Sequence, residues 1–293
     1  MQAIFQGTGV AIVTPFDKQN QVDFNALEKL INHIVAGGVE FIVAMGTTSE
    51  AVTLDESEKK EVLAQVIKIV KGRIPIVLGI GGNNTKQVID TIQNTDLNSI
   101  SGILSVAPYY NKPNQRGLYE HFSLIASNSP KPIILYNVPG RTSSNIMAET
   151  TIKLAHDFEN IVAIKEASGD FSQIMKIVQN RPAHFNVLSG DDALTLPMIS
   201  IGAKGVISVT ANAFPYKFSN LVRFAIKGDY IEANKIHYTL LEIIEQLFAD
   251  GNPAGIKKAL STLNIIENNI RLPLVSVNKD IAQSIDRLIE KLD

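Results

Sequence analysis

An α/β chain folded as a (β/α)8 barrel of the TIM type, with a helical extension at its C-terminus, is the architecture the sequence predicts. Three observations predict it. Eight short β-branched runs recur along the chain, at residues 8–13, 40–43, 75–78, 102–106, 132–135, 160–164, 185–188 and 205–209. Longer amphipathic segments lie between them, among them residues 24–36, 56–70 and 146–155. No dinucleotide loop or other switch-point signature of an open, doubly wound sheet accompanies the runs.

Continuous apolar strands joined by helical crossovers are buried on both faces and belong to a parallel sheet. Eight of them within about 210 residues match a barrel whose usual size is about 250 residues. From about residue 214 onward only helical periodicity is left, as at residues 230–248, 254–263 and 279–292. No low-complexity linker precedes this part, so it is expected to pack on the barrel. The expected division is a catalytic barrel over residues 1–223 and a helical region over residues 224–293. No internal repeat is visible beyond the βα period itself.

Composition narrows the function. The hydrophobic share is 45% of 293 residues, enough for a large core, and the formal net charge of -2 argues against nucleic acid or an anionic membrane as the main partner. The absence of cysteine excludes disulfides and thiolate metal sites and fits a reducing compartment. The first residues, Met1-Gln2-Ala3-Ile4-Phe5-Gln6-Gly7, lack a basic stretch followed by an apolar run, so no signal peptide is expected. No apolar segment approaches the roughly 20 residues that span a bilayer. A cytoplasmic location is the expectation.

Barrel enzymes carry their chemistry at the C-terminal ends of the strands. Here those ends are polar: Thr14, Gly46-Thr47-Thr48-Ser49-Glu50, Gly81-Gly82-Asn83-Asn84, Pro108-Tyr109-Tyr110-Asn111, Tyr136-Asn137, Lys165-Glu166, Ser189-Gly190-Asp191-Asp192 and Ser208. Lys165 ends the run Ile161-Val162-Ala163-Ile164. Strand side chains alternate, so a Lys165 in the barrel mouth places Ala163 and Ile161 inward beneath it and Glu166 toward the helices. An apolar floor disfavours the ammonium, and a neutral amine is the form that attacks a carbonyl. The plainer reading is a lysine capping a strand in solvent. Tyr136 ends the preceding run, and its phenol suits the proton transfers of imine formation; it also reads as a packing aromatic with a wet hydroxyl. Thr47 and Thr48 offer hydroxyl and backbone N–H groups to a carboxylate, or serve as ordinary helix caps. Arg141 presents a fork suited to a second carboxylate, or makes a surface ion pair. Asp191 and Asp192 read as helix caps rather than metal ligands, because no companion cluster joins them. The five histidines are scattered, and no P-loop or nucleophile elbow is present.

Taken together, Gly46-Thr47-Thr48-Ser49-Glu50, Tyr136-Asn137-Val138-Pro139-Gly140-Arg141-Thr142 and Lys165-Glu166-Ala167-Ser168-Gly169-Asp170 resemble the pyruvate-dependent class I aldolases, and within them most of all the dihydrodipicolinate synthase family. Pro108-Tyr109-Tyr110-Asn111-Lys112-Pro113, Leu188-Ser189-Gly190-Asp191-Asp192 and Gly205-Val206-Ile207-Ser208-Val209 extend the resemblance over effectively the whole chain. The resemblance implies that Lys165 forms an imine with pyruvate and that Tyr136, Thr47 and Tyr110 form a proton relay, Tyr110 reaching into a neighbouring subunit. It implies that Thr48 holds the pyruvate carboxylate, that Arg141 binds the carboxylate of L-aspartate 4-semialdehyde, and that Gly190 and Ile207 line the site through their backbone. It further implies a homotetramer built as a dimer of dimers, a place in lysine and diaminopimelate biosynthesis, and no cofactor or metal, the imine being its own electron sink. The neighbouring readings are an N-acetylneuraminate lyase or a keto-deoxy sugar acid aldolase, which generally lack an arginine at the position of Arg141, and a catalytically silent keto-acid-binding homologue.

Two departures from the family pattern stand out. Ser49 takes the place of the usual glycine in the threonine motif, adding a hydroxyl and restricting the turn; tolerance is expected. Asn83 and Tyr109 match the family's allosteric pocket. Lysine-sensitive members, however, typically carry histidines where Glu56 and Lys59 stand, and a glutamate where Gln87 stands. Without that carboxylate a cationic effector binds less well. Lysine is therefore expected to inhibit weakly or not at all in a steady-state assay, and strong inhibition at sub-millimolar lysine would contradict this.

Overall fold

The computed structural model describes residues 5–292. Residues 1–4, part of the stretch in which no leader is expected, and residue 293 lie outside the described residues. Eight parallel strands close into a barrel in sequence order: β1 (Gly7–Ala11), β2 (Phe41–Ala44), β3 (Ile76–Gly79), β4 (Gly102–Val106), β5 (Ile133–Asn137), β6 (Ile161–Glu166), β7 (Asn186–Ser189) and β8 (Gly205–Ser208). Closure requires a close backbone approach between β1 and β8. A Cβ on Gly205 would fall 2.0 Å from the carbonyl oxygen of Gly7, and Gly205 has a φ of +154°, so only glycine fits the seam.

Alternation along each strand sorts the apolar residues into two clusters. Ala11, Phe41, Val43, Val77, Leu104, Ile134, Ala163, Leu188 and Ile207 fill the lumen, with Phe5 and Phe41 meeting edge to face at 5.5 Å. Val10, Ile42, Ile103, Ile133, Ile164 and Val187 face the surrounding helices. One expectation fails here. Ile161 belongs to the helix-facing cluster and not to the lumen. The β5–β6 ladder pairs Ile133 with Ile161 but Ile134 with Ala163, so Val162 is an extra residue in β6. A bulge of this kind shifts the alternation by one position.

The helices between strands begin at short polar caps. Asp23 caps α1 (Phe24–Ala36), Asp55 forms a capping box with Glu58 at α2 (Glu56–Val70), Asn84 caps α3 (Thr85–Asn94), and Asn114 caps α4 (Gln115–Asn128). Each side-chain oxygen accepts from an N–H that the first turn leaves unpaired. The single turn α5 (Pro139–Thr142), then α6 (Ala148–Asp157), α7 (Phe171–Asn180), α8 (Thr195–Ser200) and α9 (Pro215–Ile226) continue the series. Residue 223, where the barrel was expected to end, lies inside α9. Three further helices follow: α10 (Tyr230–Ala249), α11 (Ala254–Thr262) and α12 (Lys279–Leu292). They pack on one another, and α10 also lies on α9. Among the described residues no helix is long and apolar enough to cross a membrane.

One buried polar group makes the outer layer acid-sensitive. His121 of α4 is buried, its Nδ1 lies 2.8 Å from the Thr85 hydroxyl at the start of α3, and burial pushes its imidazole down to about 4. Unfolded, the ring takes up its proton near pH 6.5; folded, it resists to about pH 4. Between those values the unfolded chain holds the extra proton, so stability falls as pH drops through the window. At about 1.36 kcal/mol per pKa unit the full swing is on the order of 3 kcal/mol. Urea denaturation at neutral pH and at about pH 4.5 should therefore show a larger acid loss in the parent chain than in His121→Gln; equal losses would contradict this assignment.

Candidate active site

Tyr136 and Lys165 occupy matching places at the ends of β5 and β6, where the strands pair them directly. Both point into the barrel mouth. The Lys165 Nζ lies 4.4 Å from the centre of the Tyr136 ring, and the two side chains are 6% and 8% exposed. A lysine capping a strand in solvent would be exposed, so that reading fails. Room for the chain comes from β7: a Cβ on Gly190 would stand 2.7 Å from the Ala167 Cβ and 3.1 Å from both Cγ and Cε of Lys165. A side chain at Gly190 would thus overlap Ala167 and crowd the Lys165 stem. Ile207, on β8, is buried in the same lumen cluster. Glu166 turns to the opposite face of β6. There its carboxylate accepts hydrogen bonds from Asn137, Gln173 and the Ser168 N–H. Burial raises this carboxyl above the usual carboxylate range, and the hydrogen bonds oppose the shift.

The threonine loop follows β2 as a single 3-10 turn, Thr47–Ser49. Neither threonine caps α2, since Asp55 does so. Thr47 is exposed, and its hydroxyl has no partner among the described residues; Thr48 is buried and accepts from the Asn252 side-chain amide at 3.0 Å. Ser49 is accommodated without a left-handed backbone. Its hydroxyl donates to the Ile12 carbonyl at 2.7 Å, while its own carbonyl accepts from Thr14 at 2.7 Å. The departure from glycine thus staples the loop to the end of β1. The left-handed positions lie on either side of the turn, at Met45 and Glu50, with φ of 57° and 53°.

Glu50 is held by residues that the sequence offered no reason to select. It pairs with Lys257 of α11, both side chains fully buried, and accepts from the Arg271 N–H at 3.0 Å. Lys257 and Arg271 lie over the Phe16 ring, at 4.1 and 4.2 Å. Arg271 also bonds the Thr53 carbonyl and Glu58. Burial lowers the Lys257 amine to about 8 against the pull of Glu50. A lowered amine is one mark of a nucleophile, but Lys257 has no access and its charge is spoken for. It anchors the loop. Breaking such a pair from one side costs about 3–5 kcal/mol. Asn252 adds a second link, because its carbonyl accepts from the Arg141 guanidinium at 3.3 Å while its side chain holds Thr48. Only a residue pattern spanning some 200 positions could have signalled these contacts.

Arg141, on α5, is exposed and forms no ion pair among the described residues, so the surface salt-bridge reading fails. Tyr110 is 89% exposed with a φ of 71°. A bulky side chain rarely adopts that backbone, and it does not pack into the chain's own barrel mouth. The other residues considered at the rim divide into two groups. Asn83 donates to the Tyr109 carbonyl at 3.3 Å, and Gln87 stands exposed on α3. Lys59 and Glu56 pair with each other at 2.7 Å on α2.

The two aspartates need a correction. Asp191 accepts from the Leu194 N–H at 3.2 Å and so closes the turn before α8, whose own N-cap position, Leu194, carries no side-chain cap. Asp192 does not cap. Its Oδ2 accepts from the N–H groups of Val209 and Thr210 and from the Thr210 hydroxyl, at 2.7 to 3.0 Å, which ties the ends of β7 and β8 together. Burial pushes its carboxyl up. Among the described residues no group of three or more His, Cys, Asp or Glu is placed to hold a metal ion.

Comparison with known proteins agrees with this geometry. The sequence profile of the "Dihydrodipicolinate synthetase family" matches residues 4–292. The chain is 49% identical over 292 residues to the 4-hydroxy-tetrahydrodipicolinate synthase of Flavobacterium psychrophilum, covering 100% of this chain and 99% of that one. It superposes on the dihydrodipicolinate synthase from Aquifex aeolicus with a TM-score of 0.95 at 42% identity, over 98% of each chain. A monomeric dihydrodipicolinate synthase variant gives 0.96 at 35% identity, over 98% of this chain and 97% of that one. A closed barrel with a buried strand-end lysine, matched over its full length, belongs to the dihydrodipicolinate synthetase family.

Proposed function

We propose that the chain condenses pyruvate with L-aspartate 4-semialdehyde through a Schiff base on Lys165, the activity of a 4-hydroxy-tetrahydrodipicolinate synthase. The observation that carries this reading is Lys165 itself: a buried amine beneath a phenol, with Gly190 clearing its path. The amine adds to the keto carbon of pyruvate, and the carbinolamine loses water to give the iminium. Loss of a proton from the methyl carbon gives the enamine, whose carbon attacks the aldehyde; the aldehyde oxygen becomes the product hydroxyl. The amino group of the second substrate then displaces Lys165 as the ring closes. The one water released is the one lost from the carbinolamine.

In this reading Tyr136, Thr47 and a neighbouring subunit's tyrosine equivalent to Tyr110 move the protons. Thr48 holds the pyruvate carboxylate, oriented by Asn252, and Gly190 and Ile207 line the pocket. Arg141 takes the second carboxylate; its lack of an acidic partner among the described residues supports this. The near-complete exposure of Tyr110 and Val52, at 89% and 90%, supports a homotetramer assembled as a dimer of dimers. Residues 1–223 would act as the catalytic barrel and residues 224–293 as its helical support, working in the cytoplasm. Asn83, Gln87, Tyr109, Glu56 and Lys59 would form an effector pocket with little affinity for lysine.

Steady-state assays with pyruvate and aspartate semialdehyde, run beside N-acetylneuraminate, test the proposal. Turnover is expected with the first pair alone. Arg141→Ala should raise KM for the semialdehyde roughly 10- to 100-fold, since charged hydrogen bonds are worth about 1.5–3 kcal/mol, and leave KM for pyruvate nearly unchanged. Cleavage of N-acetylneuraminate, or an Arg141→Ala effect confined to pyruvate, would overturn it.

A further inference from the structure

The bulge at Val162 sets a problem for the catalytic strand. A bulge shifts the side-chain alternation by one position, and a register displaced by one residue moves every side chain beyond it to the other face. Such a slip in β6 would put Glu166 in the barrel mouth and Lys165 among the helices. Something beyond the bulge must select the productive register.

The residues next to the two catalytic positions are placed to do so. Asn137 follows Tyr136, Glu166 follows Lys165, and β5 and β6 pair Asn137 with Glu166 directly. On the helix-facing side the Asn137 amide donates to both Glu166 carboxylate oxygens at 3.1 Å and to the Asn145 side-chain oxygen at 2.8 Å. Its own oxygen accepts from the Ile146 N–H at 2.9 Å. Gln173 closes the ring, donating to Glu166 at 3.1 Å and exchanging hydrogen bonds with Asn145 at 2.9 and 3.2 Å. The Ser168 N–H donates to Glu166 at 2.8 Å. Asn137 and Glu166 are 0% and 1% exposed. Every group bonded to this carboxylate is a neutral donor, and no cation pairs with it among the described residues. Burying a carboxylate this way costs stability that an apolar pair would not. The arrangement is satisfied in one register only.

We infer that Asn137 and Glu166 form a register clamp, a pair of positioning residues that hold Tyr136 and Lys165 opposite each other on the lumen face. The inference rests on the reading of Lys165 as the imine-forming residue. Neither clamp residue touches substrate; each acts through its neighbour in the chain. Glu166→Gln turns an amide N–H toward groups that are themselves donors, and Asn137→Asp sets two carboxylates together. Exchanging both restores one donor facing one acceptor.

The test compares the full-length parent, Glu166→Gln, Asn137→Asp and the Asn137→Asp/Glu166→Gln exchange. It reads melting temperature, KM and kcat, and the rate at which cyanoborohydride captures pyruvate on the protein by intact mass. A misplacement near 1 Å costs about 10²-fold in rate. Folded single variants should lose about that factor in both kcat and capture rate, with KM for pyruvate within about threefold of the parent, and the exchange should regain at least tenfold. Folded singles that capture pyruvate at the parent rate, or an exchange that recovers melting temperature without kcat, would overturn the clamp. If the singles do not fold, Asn145→Ala removes bonds from the half-buried side of the ring; a several-fold fall in kcat at constant KM supports the clamp, and an unchanged kcat overturns it. Absence of any adduct in the folded parent overturns the reading of Lys165, and the clamp with it.

Discussion

A primary amine at the mouth of a barrel needs space to extend, an apolar wall and a proton-handling neighbour, and all three here come from the way β6 is set between β5 and β7. Pairing with β5 puts Tyr136 against Lys165; pairing with β7 brings Gly190 beside the lysine stem, where a Cβ would overlap Ala167 and crowd the lysine. The lumen cluster supplies the wall, and Ala163 lies directly beneath. Ala163 apart, none of these contributions is local in sequence. Each is local once the barrel closes, and closure depends on the Gly7–Gly205 seam.

The C-terminal helices do more than cover the barrel. Lys257 of α11, with Asn252 and Arg271 in the segments before and after that helix, grips the loop that carries Thr47 and Thr48, and Asn252 joins that loop to Arg141. Two fully buried charges are an expensive anchor, because desolvation is offset only when the geometry and the remaining hydrogen bonds are good. Glu50, Lys257, the Asn269 carbonyl and the Phe16 ring meet that condition together. The consequence is a threonine loop fixed by contacts within the chain itself, through Ser49, Thr48 and Glu50.

Much of this was legible in the sequence. The eight strands were visible because parallel barrel strands are buried on both faces and read as apolar runs. Their polar ends, Asn137 and Glu166, stayed in the sheet because backbone pairing continues past the last apolar residue. Ile161 was misread because alternation cannot reveal a bulge, which exists only in the pairing with a second strand. Asp192 was misread because a buried acceptor serving the end of β8 has the same local appearance as a helix cap. Lys257 could not be picked out because helical periodicity predicts a buried face but not what lies opposite it, and Asn252 and Arg271 because they lie in the segments between helices, where no periodicity applies. The proximity of Tyr136 and Lys165 was legible for the converse reason: strand ends in a barrel converge, so residues distant in the chain can be assigned to one place.

The most direct measurement on the central claim is peptide mapping of the folded chain after borohydride reduction in the presence of pyruvate. One pyruvate-derived adduct per chain is expected, located on Lys165, and none in Lys165→Ala. An adduct on any other lysine, including the depressed amine of Lys257, or no adduct at all, would contradict it.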